Sequence, residues 1–233
     1  MFRLLLISFT FFSVGASGQM LPEISSNVSD PFISSLYDSL MGDNLRIYTG
    51  KRFHEPISNK LIEGNIYYQD NDWTTGTLGY QGQVYSNVTM RYHMFLDRLI
   101  ILSPTRNEAI EAPDNRIDFF IVHNKKFVRL LEPKPAYYTV LHNGSVSIFA
   151  RYYTSRHEKN IHVSKLEDRR RYYIKKDNVI TQVKSKPSVL KVLSEQKGEL
   201  RKFLRQQKIL FSKNRETALQ LLGEEFDRLQ KLK

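Results

Sequence analysis

Along the chain, hydrophobic and polar positions change rhythm three times. From Leu4 to Val14 the residues are apolar apart from Ser8, Thr10 and Ser13. From Arg46 to about Val183 the rhythm becomes short aromatic and β-branched runs broken by turn residues, the signature of strands. The runs predict strands at Arg46–Phe53, Ile62–Gln69, Trp73–Tyr80, Val88–Phe95, Leu99–Leu102, Arg116–Val122, Lys126–Leu131, Tyr137–Leu141, Ser145–Tyr153, Arg170–Ile174 and Val179–Val183. Pairs such as Gln81-Gly82, Asp97-Arg98 and Asn143-Gly144 separate them. Asn143-Gly144 is the sharpest hairpin signal, because both central positions of a type I′ turn want positive φ. Loops this short leave no room for helical crossovers, so neighbouring strands are expected to be antiparallel. After Lys186-Pro187-Ser188 the period turns helical: Leu200, Phe203 and Leu204 share one face, as do Leu219, Leu222, Phe226 and Leu229. Such a stripe is expected to dock onto the sheet, with a partner-filling role as the rival.

The predicted class is mainly β: an antiparallel meander, closed as a barrel or folded as a sandwich, followed by a C-terminal helical segment. Four units are expected. Residues 1–18 form a signal peptide, 19–44 an irregular lead-in, 45–185 the antiparallel β domain and 186–233 a basic helical tail. The first unit carries Arg3 ahead of the apolar run, then Gly15-Ala16-Ser17-Gly18, the three-part layout of a cleavable secretory signal that leaves Gln19 first. The apolar run is too short for a comfortable membrane span. No later stretch approaches eighteen apolar residues, so no transmembrane span is expected in the mature chain. The expected location is the periplasm or cell surface.

Composition sharpens this. The 233 residues include no cysteine, which removes disulfides, thiol nucleophiles, thiolate metal sites and cysteine lipidation. Apolar residues make up 41% and aromatic ones 12%, enough for a real core. The net charge of +11 is concentrated in the last third. Residues 155–233 hold twenty-one Lys and Arg against ten Asp and Glu, while residues 19–154 hold thirteen against fourteen. Within 156–186, basic residues interleave with Tyr172 and Tyr173. Strand alternation places Arg169, Arg171 and Lys175 on one outward stripe, with Tyr172 and Ile174 packing inward. These three residues are the candidate contact for an anionic partner: anionic lipid, polysaccharide or an acidic protein. Nucleic acid is a poor fit for an exported protein. The bland alternative is an edge strand whose charges block edge-to-edge pairing.

The run Val88-Thr89-Met90-Arg91-Tyr92-His93-Met94-Phe95-Leu96-Asp97-Arg98-Leu99-Ile100-Ile101, the run Tyr137 to Val146 and the closing Leu- and Lys-rich helices together resemble a family of exported bacterial β-rich proteins with a helical C-terminal tail, of uncharacterised role. The resemblance implies the exported β-rich architecture and no functional residue.

Catalytic and metal signatures are absent from the spacing. Asp70 and Asp72 flank a turn, but a calcium loop would need Gly and Glu where Thr75 and Gln81 stand. His157 and His162 are badly spaced for one helix face, and no H-E-x-x-H, P-loop, dinucleotide fingerprint or nucleophile elbow occurs. No catalytic residue, cofactor or metal is therefore assigned. The leading expectation is a non-enzymatic binding or structural protein. Its rivals are a barrel-type carrier of an apolar ligand and an envelope hydrolase whose acids converge only in three dimensions.

Overall fold

The computed structural model describes residues 46–56 and 61–232. The expected signal peptide and lead-in, residues 1–44, lie outside the described residues. The protein is mainly β, a twelve-stranded, mostly antiparallel sheet followed by helices. In chain order the strands are β1 (Lys51–Arg52), β2 (Leu61–Glu63), β3 (Thr74–Tyr80), β4 (Gln83–His93), β5 (Arg98–Leu102) and β6 (Ala109–Glu111). They continue as β7 (Ile117–Val122), β8 (Lys125–Leu130), β9 (Ala136–Asn143), β10 (Ser147–Glu158), β11 (Val163–Lys176) and β12 (Val179–Val183). Three helices follow: α1 (Lys186–Val192), α2 (Lys197–Gln206) and α3 (Arg215–Lys231).

The spatial order is β1-β6-β5-β4-β3-β7-β8-β9-β10-β11-β12. Two meanders therefore run in opposite directions from the β3–β7 seam, rather than one meander running end to end. The sheet does not close, but it curls strongly. β4 and β9 lie four strand spacings apart, about 19 Å if the sheet were flat. Yet the Tyr92 and Tyr137 rings are 5.9 Å apart, and the Asp97 carboxylate accepts from both the Tyr92 hydroxyl and the Tyr137 amide. Tyr92, Phe120, Phe127 and Tyr137 fill the concave side with edge and stacked contacts, the geometry aromatic quadrupoles prefer.

Hairpin chemistry differs from the expectation in an informative way. Three two-residue turns have both residues at positive φ: Gln81-Gly82 (51° and 77°), His123-Asn124 (47° and 59°) and Asp177-Asn178 (48° and 63°). Asn143-Gly144 is not one of them. The β9–β10 connection spans Gly144 to Val146, with a bulge at Ile148/Phe149. Its Gly has another reason: a Cβ there would lie 1.7 Å from an Asp227 carboxylate oxygen.

Four element boundaries moved for physical reasons. Arg46–Thr49 is a 3-10 turn, which sends the adjacent Ile47 and Tyr48 both into the core, where a strand would split them. Of the predicted strand Ile62–Gln69, only Ile62 and Glu63 belong to a strand, β2, which runs parallel to β11, while Tyr67 makes an isolated antiparallel bridge to His93. β10 and β11 extend well beyond the apolar runs, to Glu158 and from Val163, through a polar ladder from Thr154↔Asp168 to Glu158↔Ser164. A polar arm of this kind has no hydrophobic alternation to announce it. β6 is only three residues long and escaped detection.

The tail begins with a capping box. The Ser185 hydroxyl accepts from the Ser188 amide, and the Ser188 hydroxyl accepts from the Ser185 amide, satisfying two donors at the start of α1. Leu200, Leu204, Leu219, Leu222 and Phe226 are buried in the same core as the concave sheet face. Leu229 packs partly against that core.

Candidate anionic-partner surface

β10 and β11 form the longest ladder in the sheet. Its register sets Arg151 opposite Arg171, Tyr153 opposite Arg169, Phe149 opposite Tyr173 and Ser147 opposite Lys175. Contacts separate the two faces of β11. Tyr172 and Ile174 belong to the main core, and Arg170 pairs with Glu216 of α3. Arg169, Arg171, Tyr173 and Lys175 therefore lie on the convex face. That face is not bare: Tyr173 is buried with Ala136, Tyr138 and Phe149 in a second apolar cluster.

Arg151 and Arg171 both lean on the Tyr153 ring, with centroid distances of 5.1 and 4.9 Å. Like charges directly opposite each other destabilise a ladder. Arg151 is nevertheless only 8% exposed, and its Nε has no hydrogen-bond partner. Burial pushes the neighbouring Tyr138 hydroxyl up, while Arg151 works against that rise. Among the described residues no carboxylate pairs with Arg151, Arg171 or Lys175. Arg169 is exposed and partly neutralised: it reaches Glu167 at 2.5 Å and Ser155 at 3.3 Å. Sequence reasoning missed Arg151 and Tyr153. They belong to the site only through cross-strand register, which residue order does not reveal.

The inward-facing basic residues behave differently. Arg170 and Lys125 both reach the Glu216 carboxylate, at 3.4 and 3.2 Å, and Lys176 pairs with Glu195 at 2.5 Å. Glu216 also abuts Tyr152, whose hydroxyl burial drives well above its ordinary range. This network lines a cleft of about 240 Å³ that also holds Tyr68 and Asp168. Held between two cations, Glu216 ties the first turn of α3 to β8 and β11.

Two other constellations mimic catalytic sets and are structural by geometry. His93 is 1% exposed. Its Nδ1 accepts from the Leu96 amide at 3.1 Å, so Nε2 carries the proton toward Glu55, also at 3.1 Å. Burial pulls its pKa down, against the pull of Glu55. Tyr67 donates to the same carboxylate at 2.5 Å, and Arg91 is clasped between Tyr67 and Trp73 at 4.0 and 4.2 Å. Together these pin the segment after β1 onto the sheet.

The second set is His142, Ser145 and Asp227. Here the carboxylate sits between the other two: His142 Nε2 donates to it at 2.9 Å, and the Ser145 amide donates to it at 3.0 Å. The Ser145 hydroxyl donates to the same oxygen as its amide. A nucleophile–base pair would need a serine–histidine hydrogen bond; this serine instead donates to the aspartate. The set is a latch between α3 and the β9–β10 loop.

Burial acts against the Asp227 charge, but the hydrogen bonds from Ser145 and His142 outweigh it and hold the carboxyl below its ordinary range. A depressed folded-state value means that the latch contributes fully above pH 3.8 and is lost as pH falls through the lower folded value. Amide exchange in the β9–β10 loop and α3 is expected to accelerate below that pH. Asp227→Asn should remove this acid step and raise exchange at neutral pH. An identical pH profile in the variant would rule the latch out.

Among the described residues no group of three or more His, Asp or Glu side chains is arranged to hold a metal. The Asp70 carboxylate accepts from the Asp72 amide at 3.1 Å, an ordinary Asx turn. His157 lies beside Ser155 and Glu167, and the His162 amide donates to Asn160. No helix of the described residues is long and apolar enough to cross a membrane. No family model, no curated protein and no solved structure matches this chain.

Proposed function

We propose that this chain is an exported, non-enzymatic binding protein of the periplasm or cell surface, whose convex β10–β11 face grips an acidic polysaccharide. The observation that supports this most is the Arg151–Arg171 pair on Tyr153: two arginines face each other across a ladder with no carboxylate between them. The buried Arg151 Nε, left without a hydrogen-bond partner, costs stability, and a polar group unsatisfied in this way calls for a partner. Arginine forks bind carboxylates in two-point fashion. The stripe formed by Arg169, Arg171, Tyr153 and Lys175 runs along two neighbouring strands of the convex face. It carries no exposed aliphatic side chain, which suits an extended polyanion better than a bilayer. The export half of the reading rests on the N-terminal charge, apolar run and small-residue exit.

The protein is to be recovered from a bacterial cell envelope, where its first residue is expected to be Gln19 or a near neighbour. Its binding to polygalacturonate is then measured against salt. Binding should fall steeply toward physiological ionic strength, where charges more than about 8 Å apart are screened. The triple variant R169Q/R171Q/K175Q is expected to bind on the order of tenfold to a hundredfold more weakly, three contacts at about 0.5–1 kcal/mol each. Its melting temperature should hardly change, because Arg171 and Lys175 have no ion-pair partner to lose. Unchanged affinity in the variant, or no binding at low salt, would defeat the polysaccharide reading. An intact Met1 on the envelope form would defeat export with cleavage.

A further inference from the structure

A second basic surface lies on the helical tail and has a different chemistry. The start of α1, the second half of α2 and the loop leading to α3 enclose a groove of about 620 Å³. Lys186, Arg201, Arg205 and Lys208 line it together with Ile209 and Leu210, and no carboxylate does. None of these four cations forms an ion pair among the described residues. Their neighbours do: Lys202 pairs with Glu199, Lys176 with Glu195 and Arg228 with Glu225.

Several features of the groove work against folding. Arg201 and Arg205 are four apart on one helix, where like charges repel. Lys186 is the first residue of α1, and its charge opposes the positive end of the helix dipole. Arg205 and Lys208 at the end of α2 do complement that helix's dipole, but this accounts for only two of the four. Lys208 has φ 53°, in the left-handed region that suits glycine after a helix. Leu210 is 58% exposed, while Ile209 and Phe211 on either side pack against the core and hold the loop in place.

We infer that this groove docks the protein onto the anionic surface of a phospholipid bilayer. Headgroup phosphates occupy the cation-lined groove, and Leu210 enters the interfacial apolar layer. A surface with both a phosphate charge and apolar depth satisfies the unpaired cations and the exposed leucine together, which a free phosphate or a sugar polyanion would not.

The test is co-sedimentation of the purified chain with vesicles of pure phosphatidylglycerol and of pure phosphatidylcholine. Binding is expected with phosphatidylglycerol only, and should weaken as salt rises. R201Q/R205Q should weaken it about thirtyfold, from about fivefold per basic residue near an anionic surface. L210Q should weaken it with no change in charge. K208G is the discriminating variant. It removes a cation but relieves the left-handed lysine, so it should raise thermal stability and still lower phosphatidylglycerol binding about fivefold. A purely structural role for Lys208 would not move the two in opposite directions. R169Q/R171Q/K175Q should bind phosphatidylglycerol as the unmodified chain does, which keeps this surface separate from the convex one. Equal binding to both lipids overturns the inference. So does binding unmoved by R201Q/R205Q, or stabilisation by inorganic phosphate without sedimentation on vesicles.

Discussion

Truncation after Ser185 is expected to leave a β-sheet that aggregates, or melts far below the full chain, rather than a stable domain. Leu200, Leu204, Leu219, Leu222 and Phe226 are buried in the core that covers the concave face. Burying a Leu or Phe side chain stabilises by about 1.5–3 kcal/mol, so these five contribute on the order of 10 kcal/mol. That is comparable with the entire net stability of a typical domain, about 5–15 kcal/mol. Removing the helices would also uncover Ile148, Tyr172 and Ile174, a contiguous apolar patch of the kind that associates. The Glu216 brace to Lys125 and Arg170 and the Asp227 latch would go with them. Circular dichroism should lose most of its helical signal, and thermal melting of whatever remains soluble gives the stability change. A truncated chain that melts where the full chain does would mean the helices are an independent module.

Gly223→Ala is expected to destabilise the protein by about 3 kcal/mol, the reverse of what helix propensity alone would give. In a helix interior, Ala ordinarily exceeds Gly by about 1 kcal/mol. At Gly223 an added Cβ would meet His142 Cγ and Cδ2 at 2.5 Å and His142 Cβ at 2.9 Å. A change of χ1 would swing Cγ and Cδ2 away, but Cβ is fixed by the β9 backbone and stays at 2.9 Å, and the swing breaks the His142–Asp227 hydrogen bond, so α3 lifts from β9 or the latch is lost. Overpacking of this kind costs about 1–3 kcal/mol. Lifting the helix also stretches the His142–Asp227 and Ser145–Asp227 hydrogen bonds, worth about 1.5–3 kcal/mol each as bonds to a charged group. The steric and latch terms together exceed the propensity gain. Gly198→Ala in α2 is the control: no atom lies within 4 Å of its added Cβ, so it should stabilise by up to about 1 kcal/mol. Chemical denaturation of the two variants beside the parent decides the matter. Gly223→Ala at or above parental stability would mean that α3 does not pack this closely.

The contrast between these two glycines marks how far residue order reaches in this protein. The periodicities of two and of 3.6 are local, so they announced an antiparallel β body and a helical tail from about Lys186, together with the apolar stripe through Leu219, Leu222 and Phe226. They also placed Arg169, Arg171 and Lys175 on one side of a strand, because alternation is a property of a single extended segment. What they did not contain is anything that depends on which strand lies beside which. Arg151 meets Arg171 only through the β10–β11 register, and Tyr92 meets Tyr137 only because the sheet curls. Asn143-Gly144 looked like a hairpin turn in isolation, whereas its glycine is demanded by Asp227, which approaches from a helix more than eighty residues later. The groove of Lys186, Arg201, Arg205 and Lys208 likewise exists only where three separate segments converge. Hydrophobic alternation is decided by water and is written in the chain. Charge pairing, close backbone approach and the convergence of cations are decided by tertiary neighbours, whose identity depends on register, curvature and helix docking.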